Sequence, residues 1–137
     1  MDSQKKSTLL TQQFILALKQ QKFSGDIYQD ASTKLVNATD NSVYQIMPQA
    51  ILAPKTTQAL CLIFKLANKK QFHSLSFTPR GGGTGTNGQA LNDGFIIDCS
   101  KHMNEILELN LNEGWVRVQA GVVLDQLNAF LKPHNVF

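Results

Sequence analysis

Thr78-Pro79-Arg80-Gly81-Gly82-Gly83-Thr84-Gly85-Thr86-Asn87-Gly88 is the stretch on which the fold of this chain turns. Five glycines fall within eight positions, at Gly81, Gly82, Gly83, Gly85 and Gly88. Glycine has no Cβ, so such a run accepts positive φ and exposes its backbone N–H groups, the two requirements for wrapping an anion. Before it, Leu75-Ser76-Phe77-Thr78 alternates as a strand does. After it, the Asn92-Asp93-Gly94 turn leads into the apolar Phe95-Ile96-Ile97. The run joins two strands.

That context separates two phosphate motifs. Gly83 to Gly88 spell G-x-G-x-x-G, the dinucleotide fingerprint, which needs a helix to open at the loop so that the pyrophosphate meets its N-terminus. Only Gln89 to Asp93 separate the last glycine of the run from another turn and an apolar strand, and no helix fits there. The glycines also have P-loop spacing, but Gln89 and Ala90 stand where the lysine and the magnesium-binding hydroxyl belong, so nucleoside triphosphate chemistry is not expected. What remains is a strand–loop–strand that holds a diphosphate on backbone amides alone, with a tight ligand-free turn as the bland alternative.

Working outward, Leu10, Phe14, Ala17 and Leu18 share one face of a helix over 8–21. Ser24-Gly25-Asp26 ends it, and the stretch to Asn41-Ser42 reads as turn-rich. Residues 50–53 form a short apolar strand between Pro48 and Pro54. A helix capped by Thr56 or Thr57 follows to about Lys70, with Leu60, Ile63, Phe64 and Ala67 on its core face. Lys69 and Lys70 suit the negative end of its dipole. Downstream, 106–111 and 115–119 alternate around Asn112-Glu113-Gly114 as a hairpin, and Leu124, Leu127, Phe130 and Leu131 mark a helix that stops before Pro133. The expected class is α/β (α+β): a small mixed sheet with a parallel start, an antiparallel hairpin and flanking helices.

Composition narrows the function classes. The chain has 137 residues, 42% apolar and 17% charged, as a single globular unit does. No apolar run approaches the roughly 18 residues of a membrane span. The polar start Met1-Asp2-Ser3-Gln4-Lys5-Lys6 is unlike a secretory signal. Thirteen basic against ten acidic residues leave +3, spread out and with two arginines only, so no nucleic-acid footprint is expected. Cys61 and Cys99 read as two buried thiols in a reducing cytosol, and His73, His102 and His134 as surface or loop histidines, so no metal site is expected.

The residues from Pro79 to Gly88 resemble the pyrophosphate loop of FAD-linked oxidases of the vanillyl-alcohol oxidase type, which carry a PCMH-type FAD-binding domain. Tyr44 and Pro48-Gln49-Ala50-Ile51-Leu52-Ala53-Pro54 resemble that family's opening strand. Trp115-Val116-Arg117-Val118-Gln119-Ala120-Gly121-Val122 resembles its hairpin and following glycine. The resemblance covers 43–137, leaving 1–42 as an N-terminal helical, turn-rich extension. Within the family, T-P-R-G-G-G-T-G-T-N-G-Q-A-L-N with Lys101-His102-Met103-Asn104 most resembles the YdiJ-type bacterial enzymes, which join the flavin domain to an iron–sulfur module and oxidise D-2-hydroxyglutarate or a similar D-2-hydroxy acid.

The resemblance implies that Arg80, Gly81, Gly82, Gly83, Thr84 and Gly85 bind the FAD pyrophosphate, that Thr86, Asn87 and Gly88 continue along the cofactor, and that Gly121 lies close to it. Arg80 has two readings, a guanidinium near the diphosphate or a salt bridge pinning the start of the loop, the second favoured. Trp115 reads as hairpin packing. Some relatives attach flavin through a histidine in or just after this loop. Thr84 and Gly85 stand there and the next histidine is His102, so FAD is expected to be non-covalent.

No catalytic base, substrate clamp or metal ligand is visible. The chain is therefore expected to be the N-terminal piece of a longer, cytoplasmic or membrane-peripheral flavoprotein oxidoreductase, inactive alone and partnered by FAD and by the remainder of its polypeptide. The iron–sulfur cysteines are expected in that remainder, as is the hydroxy-acid site. The rival reading is a non-catalytic folding or interaction module without cofactor. Glycolate and D-lactate are the alternative substrates.

Overall fold

A computed structural model describes residues 3–136, with side chains described over 7–136. Met1, Asp2 and Phe137, on which the readings of the two chain ends partly rest, lie outside the described residues. The order is α1 (Ser3–Gln20), β1 (Gly25–Tyr28), α2 (Ala31–Asn37), β2 (Ala50–Pro54), α3 (Thr57–Ala67), β3 (Phe77–Arg80), β4 (Phe95–Asp98), β5 (Ile106–Asn110), β6 (Trp115–Val118) and α4 (Leu124–Leu131). Single 3₁₀ turns occupy Lys70–Phe72 and Lys132–His134.

The mixed α/β class is as the sequence implies. Four strands pair in the order β1-β2-β4-β3, and β5 and β6 form a separate two-stranded sheet. β2 and β3 both run parallel to β4, with Ile51 and Thr78 flanking Ile96, while β1 pairs antiparallel with β2. β4 thus inserts between the two strands that precede it. Every residue of β2 is buried, as are Phe95, Ile96 and Ile97 of β4. Central strands covered on both faces must be apolar throughout, which is why neither alternates.

The core lies between this sheet and helices α1 and α3. Phe14, Ile15 and Leu18 of α1 meet Ile63 and Leu66 of α3, Phe72, and the inward side chains of β2 and β4. The Phe14 ring centroid is 5.1 Å from each of Phe72, Phe77 and Phe95. Phe77 stacks on Phe95 with 10° between planes. Each such burial contributes about 1.5–3 kcal/mol. Residues before 43 therefore build the same core as those after it.

Several local expectations need correction. The strand expected over 75–78 lies at Phe77–Arg80 and includes Pro79. The ladder tolerates this proline because β3 is an edge strand. Thr56 is the N-cap of α3, its Oγ1 accepting from the Ala59 N–H at 3.1 Å, but the helix ends at Ala67 and leaves Lys69 and Lys70 beyond it. Phe64 is half exposed and Leu66 takes its place in the core. Cys99 is buried and Cys61 is exposed, so the thiols are not both interior. Pro133 lies inside the 3₁₀ turn that continues α4. His102 is partly buried, its Nε2 2.7 Å from the Asp26 carboxylate.

Candidate functional site

Because β2, β4 and β3 are parallel, their carboxyl ends at Pro54, Asp98 and Arg80 lie along one side of the sheet. The glycine loop leaves the sheet there, the side on which open α/β sheets bind ligands. Arg80 is the last residue of β3, and its carbonyl accepts the Cys99 N–H at 2.9 Å, tying the start of the loop to the end of β4.

Residues 81–88 form an open, bent segment. Thr84, Thr86 and Asn87 are exposed, as is Gly82, while Gly81, Gly83, Gly85 and Gly88 are partly exposed. Gly83 and Gly88 have φ of 67° and 76°, the left-handed region that favours glycine. Gly81 and Gly82 are different. A Cβ on Gly81 would find its nearest atom 3.9 Å away, at the Ala120 carbonyl, and one on Gly82 would be 3.6 Å from the Thr84 methyl. Neither position needs glycine for packing or for backbone conformation. Among the described residues, no backbone N–H from Gly81 to Thr86 has a protein acceptor.

Arg80 matches neither of its sequence readings in full. Its side chain turns back so that the guanidinium fills the place a Gly83 Cβ would take. Nη2 donates to the Thr39 carbonyl at 2.9 Å, so the pin is a main-chain oxygen rather than a salt bridge. Nη1 is buried without an acceptor. Gly121 belongs to the same neighbourhood through Ala120, but it is itself buried, with its N–H donating to the Met103 carbonyl at 2.8 Å. Trp115, partly buried in the hairpin, donates from its indole Nε1 to Glu113 at 2.7 Å.

Four residues around the loop were not singled out as site residues from the sequence. Gln89 folds its carboxamide oxygen over Gly85 and accepts the Asn87 N–H at 3.0 Å. Thr39, Asp40 and Tyr44 come from the stretch before β2. Thr39 holds Arg80, the Asp40 Oδ1 accepts the Ser42 N–H at 2.8 Å within the same stretch, and the Tyr44 ring lies 3.1 Å from a Cβ placed on Gly88. Tyr44 was legible only through resemblance. Gln89 follows the loop directly in sequence, whereas Thr39 is brought to Arg80 by folding.

These features fit a diphosphate. The loop amides have free donor capacity, two glycines leave room for a ligand at the backbone, and a buried guanidinium nitrogen still lacks an acceptor. Among the described residues no group of three His, Cys, Asp or Glu side chains could hold a metal, and no helix is long and apolar enough to cross a membrane.

Residues 48–137 match the family described as FAD binding domain. The D-2-hydroxyglutarate dehydrogenase of Haemophilus influenzae is 62% identical over 120 residues, and that of Escherichia coli 54% over 124 residues. These alignments cover 88% and 90% of this chain. The chain spans 12% of the length of each of those relatives. Among solved structures, an alkyldihydroxyacetonephosphate synthase superposes with a TM-score of 0.72 at 18% identity, over 89% of this chain and 25% of that one. That likeness shows the fold.

Proposed function

Since the chain belongs to the FAD binding domain family, we propose that it holds the FAD diphosphate in a flavoprotein oxidoreductase that oxidises a D-2-hydroxy acid, D-2-hydroxyglutarate before others. The observation that carries the cofactor reading is the loop itself, with its unpaired amides and two glycines that nothing in the protein requires. The substrate rests on more-than-half identity to enzymes named for D-2-hydroxyglutarate.

In this reading the amides from Arg80 to Gly85 take the diphosphate, Thr84 adds a hydroxyl, Thr86, Asn87 and Gly88 continue along the cofactor, and Gly121 backs the loop. Bound FAD supplies the acceptor for the hydride leaving C2 of the hydroxy acid, whose hydroxyl proton departs as the 2-oxo acid forms. The protein contributes orientation and electrostatics. FAD is held without a covalent bond: residues 81–89 contain no histidine, and His102 is occupied with Asp26. An iron–sulfur cluster and the hydroxy-acid site belong to other parts of the polypeptide, in a cytoplasmic or membrane-peripheral enzyme. Residues 43–137 are the amino-terminal part of the flavin domain, and 1–42 are an extension sharing its core.

The test uses the protein in its full natural length. Anaerobic D-2-hydroxyglutarate should bleach its flavin absorbance, while D-lactate and glycolate at equal concentration should not. Bleaching by one of those two alone would keep the flavoprotein and move the substrate. A protein that neither carries nor binds FAD would return the chain to the reading as an interaction module.

A further inference from the structure

Resting on the reading that the glycine loop receives the FAD diphosphate, we propose that the Arg80 side chain is a positioning residue for that site. It wedges beside Gly83 and ties the loop to Thr39, so that the loop's free amides stand preset for the diphosphate.

Arg80 is anchored at both ends. Its carbonyl accepts the Cys99 N–H at 2.9 Å, which fixes its main chain on the end of β4. Its Nη2 donates to the Thr39 carbonyl at 2.9 Å. That carbonyl belongs to a stiff segment: Ala38 beside it is fully buried, Thr39 bridges to Gln45, and the Ile46 N–H donates to the Ala38 carbonyl at 2.9 Å. Between two fixed anchors the side chain has little freedom left.

What the side chain meets is Gly83. A Cβ there would collide with Nη2 and Cζ of Arg80, so the path of the loop and the place of the guanidinium require each other. Gly83 makes its turn at a φ of 67°. Nη1 is buried without an acceptor, a costly arrangement for a donor. The guanidinium therefore rests there for the space it fills and the Thr39 bond it makes. Its buried Nη1 adds charge beside the amides without a surface for a phosphate to touch. Farther along, the Tyr44 ring, from the segment that carries Thr39, packs against Gly88. The loop is gripped at 83 and at 88, while among the described residues no N–H from Gly81 to Thr86 has a protein acceptor. A loop preset in this way loses less entropy when it closes on a ligand.

The experiment measures FAD affinity by flavin fluorescence, titrating the apoprotein of full natural length. Arg80→Ala should weaken FAD about tenfold, the scale of one lost charged hydrogen bond. The loss caused by Gly83→Ala should be at least about fivefold smaller in the Arg80→Ala background than in wild type, because the methyl then has room. The strain of alanine at positive φ is common to both backgrounds and cancels. Free guanidinium ion, below denaturing concentration, should strengthen FAD binding by Arg80→Ala at least about threefold, and sodium chloride at equal ionic strength should not. If Arg80→Ala binds FAD as wild type does, if Gly83→Ala loses as much in both backgrounds, or if guanidinium restores nothing, the proposal is overturned. In that case the loop reading survives provided that wild type binds FAD and Gly82→Val does not. A wild type that fails to bind FAD overturns both. Circular dichroism checks the fold. If Arg80→Ala does not fold, Arg80→Lys decides, since it keeps the charge without the planar fork: a loss of at least about threefold supports the proposal, and wild-type affinity overturns it.

Discussion

Gly121 lies with its Cα against the carbonyl oxygen of Cys99, and its N–H donates to the Met103 carbonyl at 2.8 Å. Any side chain here would collide with backbone at Cys99 and at Met103, and neither can swing aside as a side-chain tip could. Packing alone accounts for glycine at this position. Gly121→Ala should therefore cost about 1–3 kcal/mol, read as a lower urea midpoint of the apoprotein. An unchanged midpoint would mean that the 99–103 segment yields easily.

Phe14 touches three other phenylalanines, although it lies in α1, well before the first residue of the family match. Phe14→Ala should destabilise the protein by about 3–5 kcal/mol, as much as Phe95→Ala does from the middle of the sheet. A cost below about 1 kcal/mol would show that α1 is dispensable to the core.

Asp26 on β1 gathers His102, Lys101 and Lys55 around its carboxylate, with the Tyr28 hydroxyl donating to it at 3.0 Å. The His102 hydrogen bond is the largest influence, and with the lysines it lowers the carboxyl to about 2 from an ordinary 3.8. A depressed carboxyl stabilises the fold above its unfolded pKa and loses that contribution as pH falls through its folded one. Wild type should thus lose stability between about pH 4 and pH 2, an effect of about 1 kcal/mol after solvent screening. Asp26→Asn should show that loss already at pH 7 and converge with wild type below pH 2, measured as thermal midpoint against pH.

The two thiols should be distinguishable by reactivity. Cys61 is exposed on α3, whereas burial pushes the Cys99 thiol up and shields it. At neutral pH a thiol reagent should modify Cys61 quickly and reach Cys99 only on unfolding. Cys61→Ser should abolish the fast phase. A fast phase that survives in Cys61→Ser would place Cys99 at the surface.

The elements that read cleanly from sequence are those whose burial leaves an unambiguous mark. β2 and residues 95–97 of β4 are uninterrupted apolar runs, Thr56 has a hydroxyl where a cap needs one, and Gly114 has a φ of 69° at the hairpin turn. β1 and α2 left weaker marks. All four residues of β1 are only partly buried, and α2 exposes Leu35 and Val36, so no periodic face appears. The order of the strands was not legible, because nothing local says that β4 enters between β2 and β3. At the site, the glycine run was evident as a run. Which glycines serve the protein and which leave room beside the backbone was not. Gly83 makes space for Arg80, Gly121 makes space for Cys99, and only Gly81 and Gly82 face open space without a left-handed backbone. Thr39, 41 residues from Arg80 in sequence, meets its guanidinium only through the fold.

That distinction singles out the most direct measurement, FAD binding by Gly82→Val beside wild type at full natural length. The valine has room in the free protein, so the apoprotein should melt within about 2–4 °C of wild type, a shift of the size surface changes produce. If the diphosphate rests on this loop, the added side chain blocks its approach, and FAD affinity should fall at least about tenfold, or 1.4 kcal/mol. Undiminished FAD affinity in a well-folded Gly82→Val protein would contradict the account, because the cofactor would then lie elsewhere than on the glycine loop.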